Sequence, residues 1–410
     1  MSEPALRAVS ALGFVTMIAI AWLCSSNRSR IRWDTVAWGV ALQLALGLLL
    51  LRTGVGRGFF VAVNTLVNRF LAYTEVGTRF VFGPLMDTGF SIAIHVLPVI
   101  VFMGSFFSIL YHLGVIQRVV GVMAWVLERT MKLSGAEALA AVANIFVGMV
   151  ESSLVVKPYL ARMTHSELFS LMTLGMGTVA GSVLLAYVGI LGGGDFAGHL
   201  VTASLLSAPA GLLLAKIMIP ETEESETAGG AHAAVELDSV NVIDAAASGA
   251  INGLRLAAYV GAMLVAFVAL VAMLNDGLGY AGSLVGIAEL SFQKLLGFLL
   301  APLAFLMGIP WEDAPTVGGM LGIKTILNEF LAYQELSAAQ AAGTLQPRSV
   351  VIASYALCGF ANFGSLAIML GGIGGLAPQR HSEVAGLGLR CILSGSLTTF
   401  MTACLAGLLL

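Results

Sequence analysis

Residues 144–160 read NIFVGMVESSLVVKPYL. A carboxylate, Glu151, stands in a long apolar neighbourhood, three residues after Gly148. At membrane depth an acid costs roughly 2.5–3.5 kcal/mol on insertion scales, so it needs a partner or a wet cavity. A chain that breaks at the glycine is tolerated where it faces protein or lines a water-filled cavity. The stretch therefore reads as the tip of a re-entrant helical hairpin over 134–162. A second segment, 295–340, repeats the pattern: apolar, interrupted by glycine or proline, with Glu329 in KTILNEFLAY.

The rest of the chain supplies the membrane that such hairpins require. Of 410 residues, 58% are hydrophobic and 10% charged, with a mean hydropathy of +0.93. A soluble domain carries about 25% charged residues. This is an all-α polytopic membrane protein. Spans of about 20 apolar residues are expected near 8–25, 34–51, 90–113, 166–191, 197–219, 251–275, 350–371 and 386–410. Residues 53–84, with Arg57, Arg69 and Arg79, and residues 115–132 read as amphipathic interfacial helices. The N-terminus runs straight into the first span and reads as a retained helix rather than a signal peptide. The one soluble-looking segment, 220–241, is acidic and small and reads as a flexible loop. Arg28, Arg30, Arg32, Lys157, Arg162 and Arg380, placed inside, put both termini outside, although Arg52 and Arg57 then fall outside too.

No dense basic patch suggests nucleic acid. The four cysteines show neither metal spacing nor a disulfide framework. The six histidines are dispersed, and no nucleophile–base pair or phosphate-cradling loop is apparent, so the chain does not read as an enzyme or an ATP-driven pump.

Two passages resemble each other: 177–193, GTVAGSVLLAYVGILGG, and 359–375, GFANFGSLAIMLGGIGG. Each follows an acid-bearing hairpin and gives the next span a Gly/Ser-rich start, and an odd number of crossings between them inverts the second unit. That is the pattern of an inverted-repeat transporter with its site at the midplane; similar small-residue stretches also occur in unrelated membrane helices. Glu329 can accept from vicinal hydroxyls, as on a ribose, or pair with Lys324. Asn362 and Ser365, three apart, fall on one helical face and offer an amide and a hydroxyl to a sugar, or act as packing glue. Phe360 could present a flat face to a base. Asn144, Val147, Thr178 and Val179 could assemble an uncharged sodium site from an amide, a hydroxyl and helix-end carbonyls.

These motifs, with IPETE at 219–223 and ALCGFANFGSLAIMLGGIGGLAP at 356–378, resemble the concentrative nucleoside transporter family over nearly the whole chain. The resemblance implies a homotrimer of eight-span protomers in the bacterial inner membrane, with two oppositely oriented hairpins, interfacial helices and an elevator-type transport domain on a scaffold. It implies uptake of nucleosides coupled to a cation, most simply sodium, with no other cofactor. It makes Glu329, Asn362 and Ser365 the ribose set, Phe360 and Val183 contacts near the base, and Asn144, Val147, Thr178 and Val179 the sodium set. The parts are then 1–84 (N-terminal spans and interfacial helix), 85–133 (scaffold span and interfacial helix), 134–219 (hairpin one and first transport repeat), 220–250 (acidic loop), 251–294 (scaffold span and interfacial segment) and 295–410 (hairpin two and second transport repeat). The family commonly has Gly-Gln-Thr/Ser-Glu at the tip of hairpin one; here Gly148, Met149, Val150 and Glu151 stand there, which makes Met149, Val150 and Glu151 the expected substrate contacts of that tip. Base recognition is expected to be weaker or altered, since an unpaired base edge costs roughly 1–3 kcal/mol. Coupling to protons through Glu151 or Glu329, a modified nucleoside as substrate, and a passive channel or binding protein stay open as alternatives.

Overall fold

The computed structural model describes residues 2–193, 196–228, 239–284, 286 and 290–410. Among them there are α-helices and short 3-10 and π turns but no strand. The first three helices are α1 (Glu3–Leu23), α2 (Trp33–Arg52) and α3 (Gly54–Phe82). α3, the expected interfacial helix, buries only Gly56, Val67, Thr74 and Thr78.

Two units of like plan follow. The first comprises α4 (Leu97–His112), α5 (Val115–Met131), the hairpin α6 (Gly135–Val147) and α7 (Met149–Val155), a short turn of helix α8 (Lys157–Leu160), the interrupted pair α9 (His165–Gly177) and α10 (Gly181–Ile190), and α11 (Phe196–Met218). The second comprises α12 (Val242–Leu284), α13 (Phe292–Leu306), the hairpin α14 (Ala314–Ile326) and α15 (Glu329–Ala341), the interrupted pair α16 (Pro347–Leu357) and α17 (Phe363–Leu376), and α18 (His381–Leu409). Three crossings separate the hairpins: α9 with α10, then α11, then α12. An odd number inverts the second unit, as the repeat predicted.

Seven helical runs among the described residues are long and apolar enough to cross a membrane. The seventh expected span, 350–371, is not continuous: it breaks between Leu357 and Phe363. Residues 166–191 break likewise at Thr178–Ala180. Both breaks fall at the repeated Gly/Ser motif, inside the spans rather than at their starts. The segment 295–340 resolves into most of α13 plus the hairpin proper from Ala314.

Each element follows from its residues. α5 buries Ile116, Val120, Ala124, Leu127 and Met131, a stripe at three- and four-residue steps, and turns Arg118 and Arg129 away. Ser134 with Glu137 and Thr164 with Glu167 form capping boxes that start α6 and α9. α12 is longer than the expected 251–275. At 1.5 Å per residue its 43 residues extend about 64 Å, roughly twice the hydrocarbon thickness. Its early small residues, which resemble loop composition, form a contact face: a methyl built on Gly249 would lie 2.4 Å from the Gly104 carbonyl oxygen, and one on Gly253 2.7 Å from that of Ile100. Only glycine lets the α4 and α12 backbones approach so closely.

The acidic segment is also corrected. Residues 229–238 lie outside the described residues, but 220–228 are docked, not loose. The Thr227 carbonyl accepts from the Gly135 amide at 3.0 Å, and its hydroxyl from Ala136 N at 3.2 Å. Ser225 Oγ donates to Glu167. Beneath them the Lys216 ammonium meets Glu137 at 2.5 Å and Glu221 at 3.3 Å. The segment thus ties the C-terminal end of α11 to the starts of α6 and α9. Capping demand explains it: helix N-termini leave amides unpaired, and Thr227 supplies acceptors at the start of α6 and Glu223 one at the start of α9. Ser26 N donates to Met218 O at 2.9 Å, and Lys132 bridges Asp34 at 3.0 Å, so the arginine-rich 28–32 turn lies at this same end. At the opposite end Arg7 donates to the Leu410 carbonyl at 2.5 Å, so the two termini share a side.

Candidate substrate and cation site

Glu329 is the first residue of α15, where the helix dipole favours a negative charge. It is 3% exposed. Tyr187 of α10 donates its hydroxyl to Oε1 at 2.7 Å, and Asn362 donates Nδ2 to Oε2 at 2.8 Å. One carboxylate therefore joins hairpin two to both interrupted helices. Charge-assisted bonds of this kind are about twice as strong as neutral ones. The alternative pairing with Lys324 is not made. The Lys324 ammonium donates instead to the Ala356 carbonyl and to Thr399 Oγ1, each at 2.8 Å.

Asn362 is not on the helical face expected for it. It is the N-cap of α17, and its Oδ1 accepts from Ser365 N at 2.7 Å. The three-residue spacing that suggested a shared face is the spacing of a cap. Its oxygen fixes the helix start while its nitrogen reaches the acid. Phe360, 8% exposed, and Asn362 lie in the five-residue gap, and Ser365 is the third residue of α17. Val183 is buried in the first turn of α10, four residues ahead of Tyr187 and so on the same side of that helix.

Tyr187 was missed by sequence reasoning. Its ring stacks on Tyr333 at 4.6 Å and meets Phe330 edge-on at 4.8 Å. The available signal was a single hydroxyl-bearing aromatic inside the otherwise apolar GSVLLAYVGI.

At the other hairpin two of the expected cation residues, Asn144 and Thr178, come together. Asn144 Nδ2 lies 2.8 Å from the Leu174 carbonyl oxygen and 2.5 Å from Thr178 Oγ1. Ser152 Oγ donates to Asn144 Oδ1 at 3.4 Å, and Thr178 Oγ1 to Leu174 O at 3.0 Å. Val147 ends α6, and the buried Val179 lies in the break, its carbonyl accepting from Ser204 Oγ at 3.4 Å. Ser152 and the Leu174 carbonyl are additions the sequence did not suggest. The set is neutral and oxygen-rich, and a half-turn of the Asn144 amide presents its oxygen where its nitrogen now stands. Such ligands suit a hard cation.

A methyl built on Gly372 of α17 would lie 3.0 Å from Val150 Cγ2, and one on Gly175 of α9 3.0 Å from Met149 Cβ. Both apolar side chains are therefore seated against neighbouring helices. Glu151 is exposed and bonded to no other side chain among the described residues. Gly148 takes φ 105° and ψ 176°, a region essentially reserved for glycine. A methyl there would lie 3.1 Å from both Glu151 Oε2 and Ala180 Cβ.

Paired hairpins and interrupted helices, inverted and meeting at buried polar groups, define a secondary transporter. Models of the Na+ dependent nucleoside transporter C-terminus and N-terminus match residues 199–407 and 12–85, and a nucleoside recognition "Gate" model matches 93–194. The uncharacterized transporter YutK of Bacillus subtilis is 44% identical over 97% of this chain and 98% of its own. Human sodium/nucleoside cotransporter 1 is 40% identical over 98% of this chain; the chain spans 63% of that longer protein. The structure of CNTnw in an inward-facing substrate-bound state superposes with a TM-score of 0.93, at 42% identity, over 98% of both chains. The chain belongs to the sodium-dependent, concentrative nucleoside transporter family.

Proposed function

We propose that the protein is a sodium-coupled symporter that concentrates nucleosides across the plasma membrane by alternating access. The observation that carries this reading is the Glu329 carboxylate, fixed by Tyr187 and Asn362 at the meeting of hairpin two with both interrupted helices. Two rigid donors orient it and leave a further lone pair on each oxygen, a fit for the vicinal hydroxyls of a ribose. Ser365 completes that end. Phe360 and Val183 line the base side, with Glu151 reaching in from hairpin one while Met149 and Val150 brace its tip.

Sodium is the coupled cargo, held by Asn144, Thr178 and the carbonyls of Val147, Val179 and Leu174. Its binding orders the tip at Gly148 and so completes the nucleoside site. The coupling is reciprocal: each ligand raises the affinity of the other. The hairpins and interrupted helices move together as an elevator. α3, α4 and α12 form the scaffold, and the exposed apolar positions of α12, among them Val265 and Met273, meet lipid or neighbouring protomers of a homotrimer. The domain partition from 1–84 to 295–410 follows this division, with the scaffold helix α12 beginning at Val242.

The test is accumulation of labelled nucleosides in proteoliposomes under a sodium gradient, a proton gradient or none. Uphill uptake with sodium alone is expected. Accumulation driven only by protons, or equilibration without accumulation, would replace the reading with a proton symporter or a passive pathway.

A further inference from the structure

Lys324 is 0% exposed and has no part in the site described above. A buried ammonium is costly unless its donors are satisfied. Three directions are filled: Ala356 O and Thr399 Oγ1 at 2.8 Å, and the face of Phe400 at 5.5 Å from the ring centre.

Its position in the repeat is informative. The second arms of the hairpins start from N-cap residues Gly148 and Asn328. Asn144 lies four residues ahead of the first, and Lys324 four ahead of the second. The second halves of the interrupted helices start from N-caps Ala180 and Asn362. Leu174 lies six residues ahead of the first, and Ala356 six ahead of the second. Asn144 reaches the Leu174 carbonyl, and Lys324 reaches the Ala356 carbonyl. The two contacts are therefore the same contact in the two inverted halves. Thr178, the hydroxyl of the first site, has Phe360 as its counterpart, and Thr399 of α18 supplies the hydroxyl instead.

We propose that the Lys324 ammonium is a tethered cation, occupying in the second half the place that free sodium takes in the first. It holds hairpin two to α16 without any ion, and so leaves one of the paired sites to respond to sodium. The inference rests on the assignment of sodium to Asn144 and Thr178. A side chain that carries its own charge also explains why the second site needs fewer oxygens: an ammonium brings three donors, whereas a bare ion must be surrounded.

The test uses full-length protein in proteoliposomes, with uridine uptake measured against sodium at constant ionic strength set by choline. Wild type and Lys324→Arg, which keeps the charge, should show a Hill coefficient for sodium of about 1. Lys324→Asn copies the residue of the first half and should make hairpin two ion-dependent. Uptake should fall about tenfold or more at the sodium level that half-saturates wild type, recover at high sodium but not with choline, and show a Hill coefficient rising toward about 2. Unchanged uptake, or uptake lost at every sodium level in protein that still elutes as a folded oligomer, overturns the proposal. If Lys324→Asn does not fold, Thr399→Val decides, since it removes one acceptor and leaves the charge: weakened uptake with an unchanged Hill coefficient supports the tether, and unchanged uptake overturns it. Asn144→Leu separates the two claims, because an unaltered sodium dependence there refutes the hairpin-one site whatever the Lys324 variants do.

Discussion

Glu329→Gln is the most informative single substitution. The carboxylate accepts from Tyr187 on one oxygen and from Asn362 on the other. Glutamine is nearly isosteric, but it keeps one acceptor and turns the other into a donor. If its oxygen faces Tyr187, its NH2 faces the NH2 of Asn362. Asn362 can relieve that clash only by turning its amide, and then it forfeits the N-cap bond to Ser365 N. A hydrogen bond to a charged group is worth about 1.5–3 kcal/mol. In the proposed complex two ribose hydroxyls lose the same charged acceptor, and at about 1.5 kcal/mol each this removes about 3 kcal/mol of binding. That is roughly 150-fold in nucleoside affinity at 1.4 kcal/mol per decade. Titration calorimetry with uridine on purified protein measures it, with gel filtration confirming that the oligomer is intact. A substrate lacking the 2′ and 3′ hydroxyls extends the measurement to a double-mutant cycle. If the acid meets the ribose, the variant and the truncated substrate should be strongly non-additive. Binding within a few fold of wild type, or strict additivity, would refute the ribose assignment.

Further outcomes follow from the same geometry. Tyr187→Phe keeps the stacking on Tyr333 and removes one donor from Glu329; it should weaken uridine binding by about 10- to 150-fold, equivalent to 1.5–3 kcal/mol, as read by calorimetry. Gly148→Ala forces a side chain into a conformation that costs about 1–3 kcal/mol and pushes on both Ala180 and Glu151. The sodium concentration for half-maximal uptake should rise. Met149→Gln places an amide at the tip but against α9, so the order of preference across a nucleoside panel should change little; a reordered profile would show that the side chain reaches the base.

The hairpins were legible in the sequence because their signals are local. A glycine, a short apolar interval and an acid mark a break that membrane depth makes expensive; the Gly/Ser motifs, by contrast, read as span starts, although the spans break there. What was not legible depends on partners far along the chain. Tyr187 lies 142 residues from Glu329, and nothing beside either residue announces the bond. Asn362 was read as a helical face because a cap and a helical ridge share the three-residue spacing. Lys324 was weighed against Glu329, its neighbour in sequence, whereas its acceptors come from α16 and α18. The start of α12 was read as loop because small residues signal both flexible chain and close helix packing, and only the presence of α4 separates the two. The acidic segment was read as loose for a related reason: its acidic and hydroxyl side chains serve helix starts and a buried lysine contributed by other elements.

The central claim is that sodium at hairpin one completes the nucleoside site. The sodium dependence of uridine affinity tests it most directly, measured by calorimetry at constant ionic strength with choline replacing sodium. The dissociation constant should fall by about 5- to 150-fold from choline to saturating sodium, the range typical of coupled sites, and Asn144→Leu should flatten that dependence. A wild-type affinity that is the same in choline and in sodium would contradict the account.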